Sequence, residues 1–330
     1  MPASHRDLDE DTGAGLPARP GLASFDVPLP ADLQRFGRSV RATAAGNPSH
    51  PPVVALGGIS ANCHVCSGPD GSGGWWRGLV GDGCAVDPAR HYVIGMDFAA
   101  DESGDAAPST SDQARVLAAV FDRLGVRAPC TIVGASYGGM VGLALAEQRP
   151  QLVARLVLIS AGAEPHAAAT AARELQRRVV ALGLGAGRGT EALEIARGMG
   201  MMTYRTAAEF GERFTGGIDA ESPLTRSAPG AYLRARGTSF LDVMSPGRFL
   251  SLSASIDRHG VDPRRITAAC LLIGANSDQL VLPEQLRTLE SRLSGQASLH
   301  LLDSLYGHDM FLKEAERIGE LVAPFLGSPA

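Results

Sequence analysis

Gly134-Ala135-Ser136-Tyr137-Gly138-Gly139, directly behind the apolar run Thr131-Ile132-Val133, decides how this chain is read. The run is β-branched and apolar, as a buried strand should be. After it, glycines flank one serine in the pattern G-x-S-x-G, a nucleophile elbow in which a strand turns sharply into a helix and presents a hydroxyl at the bend. The turn needs glycine because the serine sits in a strained backbone conformation and the following helix must pack closely on the sheet. Met140-Val141-Gly142-Leu143-Ala144-Leu145-Ala146-Glu147 supplies that helix, in small and apolar residues suited to burial.

A serine hydroxyl is a poor nucleophile at neutral pH. It needs an imidazole to take its proton and a carboxylate to fix the tautomer of that imidazole. Two candidates lie downstream, each after a predicted strand. Asp278 follows Ala269-Cys270-Leu271-Leu272-Ile273-Gly274, and His308 follows Ser298-Leu299-His300-Leu301-Leu302. Alone, each of the three reads equally well as a turn serine, a capping acid or a helix-start histidine. In the chain order serine, acid, histidine, which differs from that of the two serine-protease folds, they read as nucleophile, orienting acid and base.

Composition narrows the alternatives. The chain has 330 residues, 45% apolar and 20% charged, ordinary for a globular protein with a sizeable core. A formal charge of −5 leaves no basic footprint for nucleic acid. No apolar stretch approaches the roughly 18 residues of a membrane span, and the first thirty residues lack a basic region followed by an apolar one, so a cytoplasmic location and no membrane partner are expected. Five cysteines, an odd number, imply no disulfide framework.

Residues 1–30, rich in Asp, Gly, Pro and Ala without apolar period, are expected to be a flexible tail. Strands and helices then alternate: Val53-Val54-Ala55-Leu56, Tyr92-Val93-Ile94-Gly95, a helix over 111–124 with Thr110 as cap, Gln113 three residues on and Gly125 beyond, then Cys130-Thr131-Ile132-Val133 and Leu156-Val157-Leu158-Ile159. Repeated β-then-α order predicts an α/β fold with a mostly parallel sheet covered by helices on both faces. Residues 164–261 read as helices without clear strands (171–182, 190–199, 207–214), a helical lid inserted between core segments 31–163 and 262–330.

Further stretches complete an ordered set: Gly57-Gly58-Ile59-Ser60-Ala61, Gly74-Trp75-Trp76-Arg77-Gly78-Leu79, Leu175-Gln176-Arg177-Arg178, Met202-Thr203-Tyr204-Arg205, Tyr232-Leu233-Arg234-Ala235-Arg236-Gly237 and Leu305-Tyr306-Gly307-His308-Asp309-Met310. With the elbow, this set resembles the homoserine O-acyltransferases of the α/β-hydrolase superfamily, from about Pro52 to the C-terminus. It is most similar to the branch that uses succinyl-CoA in methionine biosynthesis. The chain departs from that family's Gly-Ser-Thr-Gly-Pro-like segment at 99–108, a loop that could shape the donor entrance.

The resemblance implies an α/β-hydrolase fold, no permanently bound cofactor, acyl-CoA and L-homoserine as substrates, and a homodimer formed through the helical insertion. It also implies that Arg177 takes the homoserine carboxylate and Asp309 its ammonium; Asp309 stands beside the expected base in sequence in any case. Backbone N–H groups of Tyr137, the residue after the nucleophile, and of Ile59, in the family register, would hold the oxyanion. Read from the residues alone, Arg177 is more readily a solvated helix charge than a substrate ligand. A homoserine O-acetyltransferase, an esterase or thioesterase with the same triad, and a non-catalytic binding protein are the competing readings. Cys63-His64-Val65-Cys66 has metal-like spacing but no second pair of ligands, so pocket lining is expected. Trp75 and Trp76 are expected to pack, and His64, His166 and His259 show no evident partner.

Overall fold

The computed structural model of the chain describes residues 22–67, 73–215 and 227–327. Its strands are Ala23–Pro28 (β1), Ser39–Ala45 (β2), Pro52–Leu56 (β3), Tyr92–Met96 (β4), Cys130–Ala135 (β5), Val153–Ile159 (β6), Ala269–Ala275 (β7) and Ala297–Leu302 (β8). They form one sheet in the order β1-β2-β4-β3-β5-β6-β7-β8, antiparallel at β1/β2 and β2/β4 and parallel elsewhere. Every residue of β3, β4 and β5 is buried, because helices cover both faces of a parallel sheet and leave no solvent side. Continuous Val, Ile and Leu runs are the signature of that burial.

Helices Thr110–Leu124 (α1) and Tyr137–Gln148 (α2) flank β5. Between β6 and β7 lie five helices and no strand among the described residues: Ala167–Gly185 (α3), Gly189–Tyr204 (α4), Ala207–Arg213 (α5), Ala228–Phe240 (α6) and Pro246–Asp257 (α7). The chain ends in Pro283–Arg292 (α8), Met310–Lys313 (α9) and Ala315–Gly327 (α10). None of the described helices is long and apolar enough to cross a membrane.

Three sequence expectations change. The expected flexible tail reaches too far: residues 1–21 lie outside the described residues, but residues 23–28 are strand β1, paired along its length with β2. As an edge strand it buries only Val27 fully, so no period betrays it. The cap of α1 is Ser109, not Thr110: its hydroxyl accepts the Asp112 N–H, and the Asp112 carboxylate accepts the Ser109 N–H, a capping box one residue upstream. Gln113 is instead buried, bonded to both backbone groups of Ala99. Loop 99–108 does not line the cavity described below. It docks on α7, where Asp101 N–H donates to Ser251 Oγ at 3.0 Å and Glu102 accepts from Ser245 Oγ at 2.7 Å.

Thr110 and His259 join the insertion to the core. Nε2 of His259 donates to Gly162 O at 3.1 Å, so its Nδ1 must accept from the Thr110 hydroxyl at 2.8 Å, and the ring is neutral. Burial pushes its pKa down from 6.5 to about 4. The unfolded chain therefore takes up a proton below pH 6.5 that the native state refuses, and stability falls as pH drops through that window. The loss should total about 3 kcal/mol by pH 4. Urea midpoints measured between pH 4 and 7 should show this slope, and His259→Asn should flatten it; equal slopes in both proteins would show that this group does not set the acid limit.

Candidate active site

Ser136 stands between β5 and α2 at φ 51°, ψ −121°, a region that only glycine occupies freely. Two observations show why the sequence folds this way. A Cβ on Gly138 would lie 2.5 Å from the Leu56 backbone, and one on Gly134 would lie 2.6 Å from Gly139 Cα, so the elbow closes only without those side chains. Gly138 N–H then donates to Gly57 O at 2.8 Å, tying the turn after β3 to the turn after β5.

The loops after β5, β7 and β8, all at the same ends of parallel strands, bring Ser136, Asp278 and His308 together. His308 Nε2 lies 2.9 Å from Ser136 Oγ, and His308 Nδ1 lies 2.8 Å from Asp278 Oδ2. Leu280 and Val281 N–H groups donate to the other Asp278 oxygen at 2.8 and 3.1 Å. Burial pushes the Asp278 pKa up, but His308 and these two N–H groups outweigh it and hold the carboxyl below its usual range. Burial alone would push His308 down; the charges of Asp278 and then Asp309 reverse the sign and raise it above the ordinary imidazole value. So placed, a neutral His308 can accept a proton from Ser136 while Asp278 can stabilise the cation that would result.

The triad opens into a cavity of about 280 Å³ between the sheet and the helical insertion. Core residues Gly58, Ile59 and Trp75 line one side; Arg173, Gln176, Arg197 and Tyr204 from α3 and α4 line the other. Ile59 is thus at the cavity. The Tyr137 ring is buried, its hydroxyl 2.5 Å from Ser255 Oγ of α7, while its N–H belongs to the first turn of α2, where no intrahelical acceptor exists. Asp309 also lines the cavity, with Oδ2 accepting from Arg205 Nε at 2.6 Å.

Arg177 is not brought to the cavity. Its Nη1 donates to Asp257 Oδ2 at 2.6 Å and to the carbonyl and hydroxyl of Ser253, each at 3.1 Å, so it fastens α3 to α7. Arg173, four residues earlier and on the same face, grips the other Asp257 oxygen and also reaches the cavity wall. Sequence reading missed both Arg173 and a second cavity cation, Arg197. Arg197 is held 4.7 Å from the Phe240 centroid and 5.2 Å from that of Tyr204, with a buried Nε that lacks any hydrogen-bond partner among the described residues. Its signal was a lone charge among Leu193, Ala196, Gly200 and Met201, the inward stripe of α4.

The smaller signals resolve as packing. Cys63 and Cys66 are buried thiols pushed up to about 12, chiefly by burial, and neither lines the cavity; no metal-holding cluster exists among the described residues. Trp76 is fully buried, its Nε1 donating to Phe311 O, whereas Trp75 stacks on it and faces the cavity. His166 caps α3.

Residues 51–315 match the family model described as alpha/beta hydrolase fold. The chain is 37% identical to the homoserine O-succinyltransferase of Xanthomonas campestris pv. campestris, over 94% of this chain and 84% of that protein. Among solved structures, homoserine O-acetyltransferase from Bacillus anthracis superposes with a TM-score of 0.82 at 15% identity, covering 93% and 97% of the two chains. Esterase E22 superposes with a TM-score of 0.80 at 18% identity, covering 92% and 99%. Near-equal scores for a transferase and an esterase mean that the fold alone does not choose between hydrolysis and transfer.

Proposed function

The chain belongs to the α/β hydrolase-fold family and to its homoserine O-acyltransferase branch, and we propose that it transfers a succinyl group from succinyl-CoA to the hydroxyl of L-homoserine, a step of methionine biosynthesis. His308 takes the Ser136 proton as Oγ attacks the thioester carbonyl. The C–S bond breaks, and His308 returns the proton to the departing CoA sulfur. The homoserine hydroxyl then gives its proton to His308 and attacks the acyl-serine ester, and Ser136 leaves with that proton. Backbone N–H groups of Tyr137 and Ile59 hold the oxyanion in both halves, each donor worth about 10² to 10³ in turnover.

The observation that carries this reading is the charge in the cavity. The space that exposes Ser136 and His308 also holds Arg197, whose guanidinium Nε has no hydrogen-bond partner among the described residues, and a carboxylate, Asp309. A zwitterionic amino acid needs that pair, and a simple ester does not. Arg197 replaces Arg177 as the partner of the homoserine carboxylate. A second guanidinium, Arg173, also reaches the cavity, which matches a donor that brings a carboxylate of its own. The insertion that walls the cavity keeps the acyl-enzyme from water. Heptad-spaced Leu175 and Leu182 on α3 and Ile195 and Met202 on α4 are all at least half exposed, and apolar side chains so exposed favour a homodimer through the insertion.

Succinyl-CoA and acetyl-CoA at equal concentration, each with homoserine, serine or no acceptor, test the reading by parallel measurement of CoA release and ester product. O-succinylhomoserine formed in step with CoA is the expected result. Release that homoserine does not stimulate, without ester, would make the protein a thioesterase, and preference for acetyl-CoA would overturn the donor. Arg197→Ala should raise the homoserine KM at least tenfold.

A further inference from the structure

The segment that leaves α4 for α5 grips the loop that carries the base. Arg205 is 7% exposed; its Nε donates to Asp309 Oδ2 at 2.6 Å and its Nη1 to Glu209 Oε1 at 2.5 Å. One residue on, Thr206 Oγ1 donates to Leu305 O at 2.6 Å. Gly307 sits at φ 56° with the Tyr204 carbonyl 2.9 Å from where a Cβ would be, so the two backbones approach too closely for any side chain. Three consecutive residues of the insertion thus touch the loop on which His308 and Asp309 lie.

Charge decides what this contact does. Arg205 paired with Asp309 alone would form a neutral couple, of little use to an incoming ammonium. Glu209 supplies a second carboxylate, so the trio Arg205, Glu209 and Asp309 carries one net negative charge. Arg213 approaches Glu209 at 3.7 Å but is 46% exposed, and solvent screens it. Glu209 Oε2 is buried without a hydrogen-bond partner among the described residues, so Glu209 depends on Arg205 in turn. Among the described residues nothing donates to Asp309 Oδ1, and Asp309 lines the cavity.

We infer that Arg205 and Glu209 are positioning residues for the acceptor: Arg205 holds Asp309 by one oxygen and leaves the other to the substrate ammonium, while Glu209 cancels the charge that Arg205 would otherwise bring. This rests on Asp309 being the ammonium partner. Because both residues come from the insertion, the acceptor site is complete only where insertion and catalytic loop are in contact.

Steady-state constants for homoserine, and CoA release from succinyl-CoA alone, should be measured for Glu209→Gln, Arg205→Gln, Arg205→Lys, Asp309→Asn and the double variant Arg205→Gln/Asp309→Asn. Glu209→Gln is expected to raise the homoserine KM about tenfold, since Arg205 then neutralises Asp309, with a smaller change in CoA release. Arg205→Gln should do the same, Arg205→Lys should recover part of the loss by keeping one charged N–H on Oδ2, and the double variant should be no worse than Asp309→Asn. If Asp309→Asn keeps the wild-type KM, the ammonium reading fails. If it raises KM while Glu209→Gln and Arg205→Gln do not, or if those two lower both half-reactions equally, the positioning role fails and the ammonium reading stands. Arg205→Gln leaves two buried carboxylates and could fail to fold; Glu209→Gln retains the Arg205–Asp309 pair and decides the matter by itself.

Discussion

Ser136→Ala should yield a folded protein that never becomes acylated. The substitution removes the one atom that can hold the acyl group while leaving His308, Asp278 and the backbone donors in place, so turnover should fall about 10⁶-fold, as for nucleophile loss in other triads. Intact-protein mass spectrometry after mixing with succinyl-CoA should show one added acyl group on the wild type and none on the variant. No thiol can substitute, because none of the five cysteines lines the cavity; Cys63, Cys66, Cys130 and Cys270 are buried and pushed up to about 12 by burial, and burial also raises the half-buried Cys84. Ser136→Gly should be equally inactive and yet melt above Ser136→Ala, because glycine alone occupies φ 51° without a steric cost of about 1 kcal/mol. An adduct on the alanine variant would move the chemistry to another residue.

Ser136 and Asp278 were legible in the sequence because β5 and β7 are buried on both faces and such strands write themselves as apolar runs, and His308 because edge strand β8 alternates exposed Ser298 and His300 with half-buried leucines. Edge strand β1 was not legible, since it buries only Val27, and β2, paired on both sides, was not because Ser39, Arg41 and Thr43 interrupt its apolar pattern. The charged wall of the cavity was only partly legible. Asp309 could be found because it adjoins His308 in the chain. Arg177 and Arg197 are both arginines on helices of the insertion, and which one turns inward depends on the rotation of each helix about its axis, a property of packing that a motif does not encode. Arg205 and Asp309 meet across 104 residues of chain, and no local pattern foretells a pair at that separation.

Asp278→Asn tests the acid more sharply than deletion would, because its surroundings dictate how an amide must lie. The side chain is fully buried, and one of its oxygens accepts two backbone N–H groups, from Leu280 and Val281. An asparagine must keep its carbonyl there, since its NH₂ would meet two donors. The NH₂ is then turned to His308 Nδ1, which can only accept from it. The ring's proton moves to Nε2, the nitrogen 2.9 Å from Ser136 Oγ, and the base becomes a donor to the group it should deprotonate. Turnover should fall about 10⁴-fold with the fold intact, the loss this tautomer error causes in the serine-protease template. The acid limb of the pH–rate profile should also move to lower pH, because the charge that most raises His308 against burial is gone. A variant within tenfold of wild type, with an unmoved limb, would mean that another group orients the imidazole.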